Sequence, residues 1–279
     1  MNVLKVDYQS PGAAALFARS LRETGFGVLY NHPIEQQLID DVYREWHRFF
    51  ADKGKYDYLF NRETQDGYFP QSVSETAIGF SAKDLKEFFQ VYPWGIFPAG
   101  LSQQTHVLYR QLSQLAHTLL QWIEDQLPAG IAGQLSMPLT QMLDHSDQTM
   151  LRIIHYPPLQ ADAGEEAVRA AAHGDINLLT VLVGATSTGL QVQDAGGRWY
   201  EVPCDRSSIA VNIGDMLQMC TQGHYRSTIH RVVNPAGPEG STSRLSMPFF
   251  LHPQADVRLS EHYTAETFLK ERLTAIGVL

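Results

Sequence analysis

The stretch HGDINLLTVLVG, residues 173–184, decides how the chain is read. A histidine and an aspartate two residues apart precede a run of apolar and β-branched residues that Gly184 closes. Such a run reads as a buried strand. Side chains two apart on a strand leave the same face, so the spacing predicts that His173 and Asp175 project together. Gly174 between them adds no bulk. An imidazole nitrogen beside a carboxylate oxygen suits a divalent cation of borderline hardness, iron(II) among them. H-x-D alone recurs by chance in exposed strands, so its weight depends on its surroundings.

From about residue 149 the surroundings are short β-rich runs separated by turn signals. They are MLRIIHY (150–156), LQVQD (190–194), RWYEV (198–202), SIAVNIG (208–214), MLQMC (216–220), STIHRVV (227–233) and RLSMPFFL (244–251). This spacing predicts an antiparallel sandwich or barrel. Ala195–Gly196–Gly197, and Asn234–Pro235 with Glu239–Gly240, read as hairpin ends. His230 sits mid-run with Ile229 and Val232 as apolar neighbours, which makes it the candidate third ligand. A histidine so placed is as often a satisfied core residue. Two histidines and one carboxylate on one face of an octahedron would leave three positions for a co-substrate and dioxygen.

The first half has a different texture, largely helical from Pro11 to about Pro128. Ser10 and Pro11 open a helix that stops at Gly25, and Pro33 opens a second carrying Leu38, Val42, Trp46, Phe49 and Phe50 at helical spacing. A third, at about 103–127, has Leu108, Leu112, Leu115, Leu119 and Ile123 on one stripe. Phe26 to Tyr30 reads as a strand, and residues 264–275 as a last helix. The expected fold is α+β with a mainly β core. Residues 1–148 form a mostly helical region and 149–279 the β core with its C-terminal helix.

Composition narrows the function classes. The 279 residues carry 21 basic and 30 acidic side chains, a net charge of −9 that disfavours a nucleic-acid surface. No window approaches the ~18 apolar residues of a membrane span, and the start lacks the pattern of a signal peptide. Two cysteines cannot build a disulfide framework, so a reducing, cytoplasmic compartment is expected. A small molecule, or another protein, is the expected target.

Taken together, HGDINLLTVLVG, GLQVQDAGGRWYEVP, SIAVNIGDMLQ, GHYRSTIHRVVNP and RLSMPFFLHP resemble the isopenicillin N synthase-like family of iron(II)/2-oxoglutarate oxygenases. Order and spacing agree over residues 152–253. RETGFGVLYNHPI, FFADKGKYDY and DLKEFFQVYPW resemble the family's N-terminal segments more loosely. The resemblance implies a double-stranded β-helix, or jelly roll, wrapped by helices, with His173, Asp175 and His230 at the metal positions. It implies Fe(II), O2 and 2-oxoglutarate as cofactor and co-substrates, and a small organic metabolite that is hydroxylated, desaturated or cyclised with release of succinate and CO2. No nucleic acid, membrane or obligatory protein partner is implied.

Arg244 and Ser246 are two apart on one predicted strand, a guanidinium and a hydroxyl suited to clasping a carboxylate. The resemblance assigns them to the distal carboxylate of 2-oxoglutarate. LRIIHYPP resembles the family's R-x-N-x-Y-P block, which makes Tyr156 their partner and puts Ile154 where the family has asparagine. His155, of opposite parity, reads as packed away from the site. For the substrate, the candidates are Arg152, Phe89 and Tyr92, within an aromatic-rich region that also holds Tyr68, Phe69, Phe88 and Trp94. Two alternatives stay open: an iron oxidase of the isopenicillin N synthase type that does not use 2-oxoglutarate, and a non-catalytic 2-oxoglutarate-binding relative.

Overall fold

The computed structural model describes residues 1–73, 86–158, 169–186, 189–233, 242–275 and residue 277. Its larger sheet is built from β1 (Lys5–Asp7), β2 (Phe26–Tyr30), β3 (Gly67–Phe69), β4 (Glu87–Val91), β5 (Met150–Tyr156), β7 (Leu179–Val183), β10 (Ile209–Ile213) and β12 (Arg244–Leu251). They lie in the order β1-β2-β10-β7-β12-β5-β4-β3. A smaller sheet, β6-β11-β8-β9, contains β6 (Ala170–His173), β8 (Leu190–Gln193), β9 (Trp199–Glu201) and β11 (His230–Val232). From β5 onward the chain passes back and forth between the two sheets, with the β8–β9 hairpin kept within the smaller one, which is how a jelly roll is wound.

Strand alternation divides the apolar residues between two layers. Phe26, Val28, Val192, Val202 and Ala210 pack between the sheets. Val181, Val183, Val211, Met247 and Phe249 join the main core on the outer face of the larger sheet. There they are covered by α1 (Ala13–Thr24), α2 (Gln36–Ala51) and α3 (Gln104–Asp125). Trp46 has no solvent exposure, packs on Phe49, Phe50 and Phe89, and donates its indole N–H to Thr105 Oγ1 at 2.9 Å. Gly25 ends α1 at φ 75°, a left-handed conformation that suits glycine.

Several elements differ from expectation. The N-terminal half contributes β1, β3 and β4 as well as β2, so one sheet and one core run across residue 148. β1 and β3 are only three residues long, and β4 is buried on both faces, so none shows the alternation that marks a strand. MLQMC is a helix, α5 (Asp215–Cys220), following the four-residue α4 (Ala129–Ala132) in chain order. Its buried residues Met216, Leu217 and Cys220 have helical spacing that five residues cannot distinguish from a buried strand. The turn at Ala195–Gly196–Gly197 is present, with Gly197 at φ 82°; the one at 234–240 lies outside the described residues. The chain's last helix is α6 (Ala265–Ala275). No helix among the described residues is long and apolar enough to cross a membrane.

The turn between β6 and β7 is docked onto the start of α5. The Asp215 N–H donates to the Asp175 carbonyl at 2.7 Å, Gly214 N–H to Leu178 at 3.0 Å, and Met216 N–H to Asn177 at 3.1 Å. Gly214 permits this approach, since a Cβ there would lie 2.0 Å from the Asn177 carbonyl oxygen. Gly214→Ala should therefore force the two segments apart and cost about 2 kcal/mol or more of stability. Urea unfolding checks this by its midpoint; an unchanged midpoint would contradict the docking.

Candidate metal centre

His173 is the last residue of β6 and His230 the first of β11, and the two are directly paired across the smaller sheet. Their ring centroids are 4.5 Å apart. Asp175 is not on the strand. β6 ends at His173, and the carboxylate is carried by the turn into β7, so its direction comes from the docked turn and not from strand parity. Even so, Asp175 Oδ1 lies 3.7 Å from Nε2 of His173 and 3.7 Å from Nε2 of His230. The three ligand atoms all lie within 4.8 Å of one another.

Each of the three side chains has its other polar atom engaged elsewhere. His173 Nδ1 is 2.8 Å from the Ala171 carbonyl and His230 Nδ1 is 3.2 Å from that of Thr228. A carbonyl only accepts, so both Nδ1 atoms carry the proton and each Nε2 offers its lone pair inward. Asp175 Oδ2 accepts from Thr180 Oγ1 at 2.6 Å and Asn212 Nδ2 at 2.7 Å, leaving Oδ1 for the rings. Asn177 Nδ2 in turn donates to Thr180 Oγ1 at 3.0 Å and to the Leu179 carbonyl at 2.9 Å. Phe26 packs edge-on against His230, at 5.5 Å between centroids.

The electrostatics favour the protonation states that a cation needs. Burial and the neighbouring His230 push the His173 pKa down, keeping the ring neutral. Burial alone would raise Asp175, but His230, His173 and the hydrogen bonds from Asn212 and Thr180 outweigh it, and the net shift is downward. A neutral imidazole and an ionised carboxylate are the forms that bind a metal. Two nitrogens and one oxygen so spaced can share one ion at metal–ligand distances near 2 Å. His173 is exposed while Asp175 and His230 are buried, so the cluster opens to one side.

Thr180 and Asn212 did not stand out in the sequence. Their signal is a single polar residue within each of the strands LTVLV (179–183) and IAVNI (209–213). Both are buried, at 3% and 4% exposure.

The expected carboxylate clamp lies deeper in the sandwich. Arg244, 2% exposed, pairs in register with Tyr156, and its guanidinium sits over the Tyr156 ring at 5.1 Å. Ser246 is opposite Ile154, and both are buried. Ile154 joins Phe69, Phe88 and Tyr156 in an apolar cluster, so the position that the family gives to asparagine adds packing here. Arg244 borders a cavity of about 60 Å3 with Leu182, Leu190, Val202 and Cys204.

Of the substrate candidates, Phe89 is misplaced. It faces the helices, fully buried, with its ring 5.0 Å from Trp46. The strand pairs Phe88 with Ile154, and it is Phe88 that faces inward. Tyr68 also belongs to the helix side, where it donates to Glu87; His155 Nδ1 meets the same carboxylate at 2.7 Å. Arg152 and Tyr92 lie on the inward side. The Arg152 guanidinium packs against the Phe88 ring, and the Tyr92 hydroxyl reaches Met150 Sδ at 3.3 Å.

Comparison with known proteins places this geometry in a family. The model of the 2OG-Fe(II) oxygenase superfamily matches residues 147–253, and that of the N-terminal region of non-haem dioxygenases in morphine synthesis matches residues 5–111. The crystal structure of an oxygenase from Shewanella oneidensis is 49% identical, covers 100% of both chains and superposes with a TM-score of 0.90. A 2OG-Fe(II) oxygenase family protein from Caulobacter crescentus is 30% identical over 98% of this chain and 99% of its own, with a TM-score of 0.81. A 2-oxoglutarate-dependent dioxygenase of Monascus ruber is 28% identical over 85% of this chain and 77% of its own. With its jelly roll and its His-Asp-His cluster, the chain belongs to the 2OG-Fe(II) oxygenase superfamily and is an iron(II)- and 2-oxoglutarate-dependent dioxygenase.

Proposed function

We propose that the chain oxidises a small organic molecule, with His173, Asp175 and His230 holding iron(II) and Arg244, Ser246 and Tyr156 holding the distal carboxylate of 2-oxoglutarate. The observation that carries this reading is the convergence of Nε2, Oδ1 and Nε2 while each partner atom is tied back into the protein. Bound there, iron(II) and 2-oxoglutarate supply the activation of dioxygen and the oxidising power, with succinate and CO2 as co-products.

The protein's own part is binding, orientation and exclusion of water. Thr180 and Asn212 fix the Asp175 carboxylate and keep it ionised. Arg244 is buried next to Leu182 and Leu190, so its charge finds little competition from solvent when it meets a carboxylate. Phe26, Val28, Val192 and Ala210 form the dry wall between the sheets. The net charge of −9 supports a small-molecule target over nucleic acid, and we assign no obligatory protein partner. Two unpaired cysteines fit a reducing, cytoplasmic setting.

Two variants separate the parts. Thr180→Val removes one donor from Asp175 and should weaken iron(II) binding about 10- to 100-fold, read by anaerobic titration. Unchanged affinity would mean that Asp175 does not depend on that bond. Arg244→Met should raise the KM for 2-oxoglutarate about 10- to 100-fold, the range of a lost charge-assisted hydrogen bond. Succinate formation is the readout, and an unaltered KM would remove Arg244 from the co-substrate site.

A further inference from the structure

The short helix α5 braces both segments that lead to the metal cluster. On one side the N–H groups of Gly214, Asp215 and Met216 hold the carbonyls of Leu178, Asp175 and Asn177. On the other, Gln218 Oε1 accepts the Ser227 N–H at 2.9 Å, on the approach to His230. Thr228, the next residue, supplies the carbonyl that meets His230 Nδ1. Any group that steadies α5 therefore steadies Asp175 and the approach to His230 together.

The Asp215 side chain faces this junction. A Cβ on Gly174, between His173 and Asp175, would lie 3.5 Å from Asp215 Oδ1 and 3.2 Å from Ser227 Oγ. The carboxylate thus packs against the backbone that separates two of the three cluster residues. Its other oxygen, Oδ2, accepts from Arg272 Nη2 at 2.8 Å. Arg272 lies in the last turn of α6, 57 residues further along the chain.

Contacts outside the pair fasten the start of α6. Ala265 and Phe268 are buried in the main core, and the N–H groups of Ala265 and Glu266 donate to the carbonyls of Val257 and Ala255, each at 2.9 Å. Arg272 stands one turn beyond Phe268, with its guanidinium 5.8 Å from that ring. With its first turn anchored and its last turn reaching Asp215, α6 acts as a strut between the core and the brace.

From this arrangement we infer that Arg272 is a positioning residue of the metal centre, acting through Asp215 on the turn that carries Asp175. Docking of the C-terminal helix and binding of the metal are then coupled, and each favours the other. The inference rests on the reading of the site given under Proposed function. The Arg272 side chain is 41% exposed and that of Asp215 19%, so solvent screens the pair and limits the coupling to what a partly exposed ion pair supplies.

The test measures binding of iron(II) alone, by anaerobic calorimetry, to the full chain and to four variants: Arg272→Gln, Arg272→Lys, Asp215→Asn and Arg272→Gln combined with Asp215→Asn. Arg272→Gln and Asp215→Asn should each weaken binding about 3- to 5-fold, the upper range for such a pair. The double variant should bind no more weakly than either single one, and Arg272→Lys should recover part of the loss. Simple electrostatics would move the single variants in opposite directions, because Arg272→Gln removes a positive charge near the cation and Asp215→Asn a negative one. A positioning role moves both downward. Circular dichroism checks that each variant is folded, and a lower global stability in a folded chain leaves the affinity where it is. By reciprocity, iron(II) should slow hydrogen exchange of the α6 amides by a similar factor in the wild-type chain and not in Arg272→Gln. Unchanged or tighter binding in Arg272→Gln, additive losses in the double variant, or α6 exchange indifferent to iron(II) would each overturn the inference. Absence of iron(II) binding by the wild-type chain would instead overturn the reading beneath it, and the inference with it.

Discussion

The site depends on one buried carboxylate that must stay ionised and aimed. Asp175 lies in a wall of apolar strands, where burial opposes its charge. Two hydrogen bonds and two imidazoles reverse that penalty, and the backbone of its turn is locked against the first residues of α5. The locked turn explains how a residue outside a strand can be as well positioned as one within it. It also explains why Gly214, which touches no ligand atom, belongs to the site.

Around that carboxylate the two sheets do different work. The smaller sheet supplies both histidines from a directly opposed pair, so a single register sets their separation. The larger sheet supplies Thr180 and Asn212 from adjacent strands, and beside them the inward faces of β12 and β5. Because β12 lies between β7 and β5, its register fixes Arg244 opposite Tyr156 and Phe250 opposite Thr180 at the same time. A one-residue slip would turn all of them to the helix side.

Much of this was legible in the sequence, for reasons that differ by residue. The helices α1 to α3 announced themselves by apolar stripes and by Gly25, and most strands after residue 149 by their spacing. His173, Asp175 and His230 were found through the blocks around them, and the structure brings the three together. The strand parity used for Asp175 was the wrong reason, because β6 ends two residues earlier. The adjacent aromatics Phe88 and Phe89 carry no parity until their partner strand is known, and pairing with Ile154 turns Phe88 inward. β1, β3 and β4 were missed because strands that short or that fully buried carry no alternation. The role of Asn212 depends on a contact with Asp175 from a distant segment, which spacing does not encode.

The central claim, that this His-Asp-His cluster holds iron(II) together with 2-oxoglutarate, is tested most directly by visible absorption under anaerobic conditions. Adding iron(II) and then 2-oxoglutarate to the full chain should produce a charge-transfer band that needs both additions and is lost in His230→Ala. Absence of the band in the wild-type chain, together with no binding of either component by calorimetry, would contradict the account.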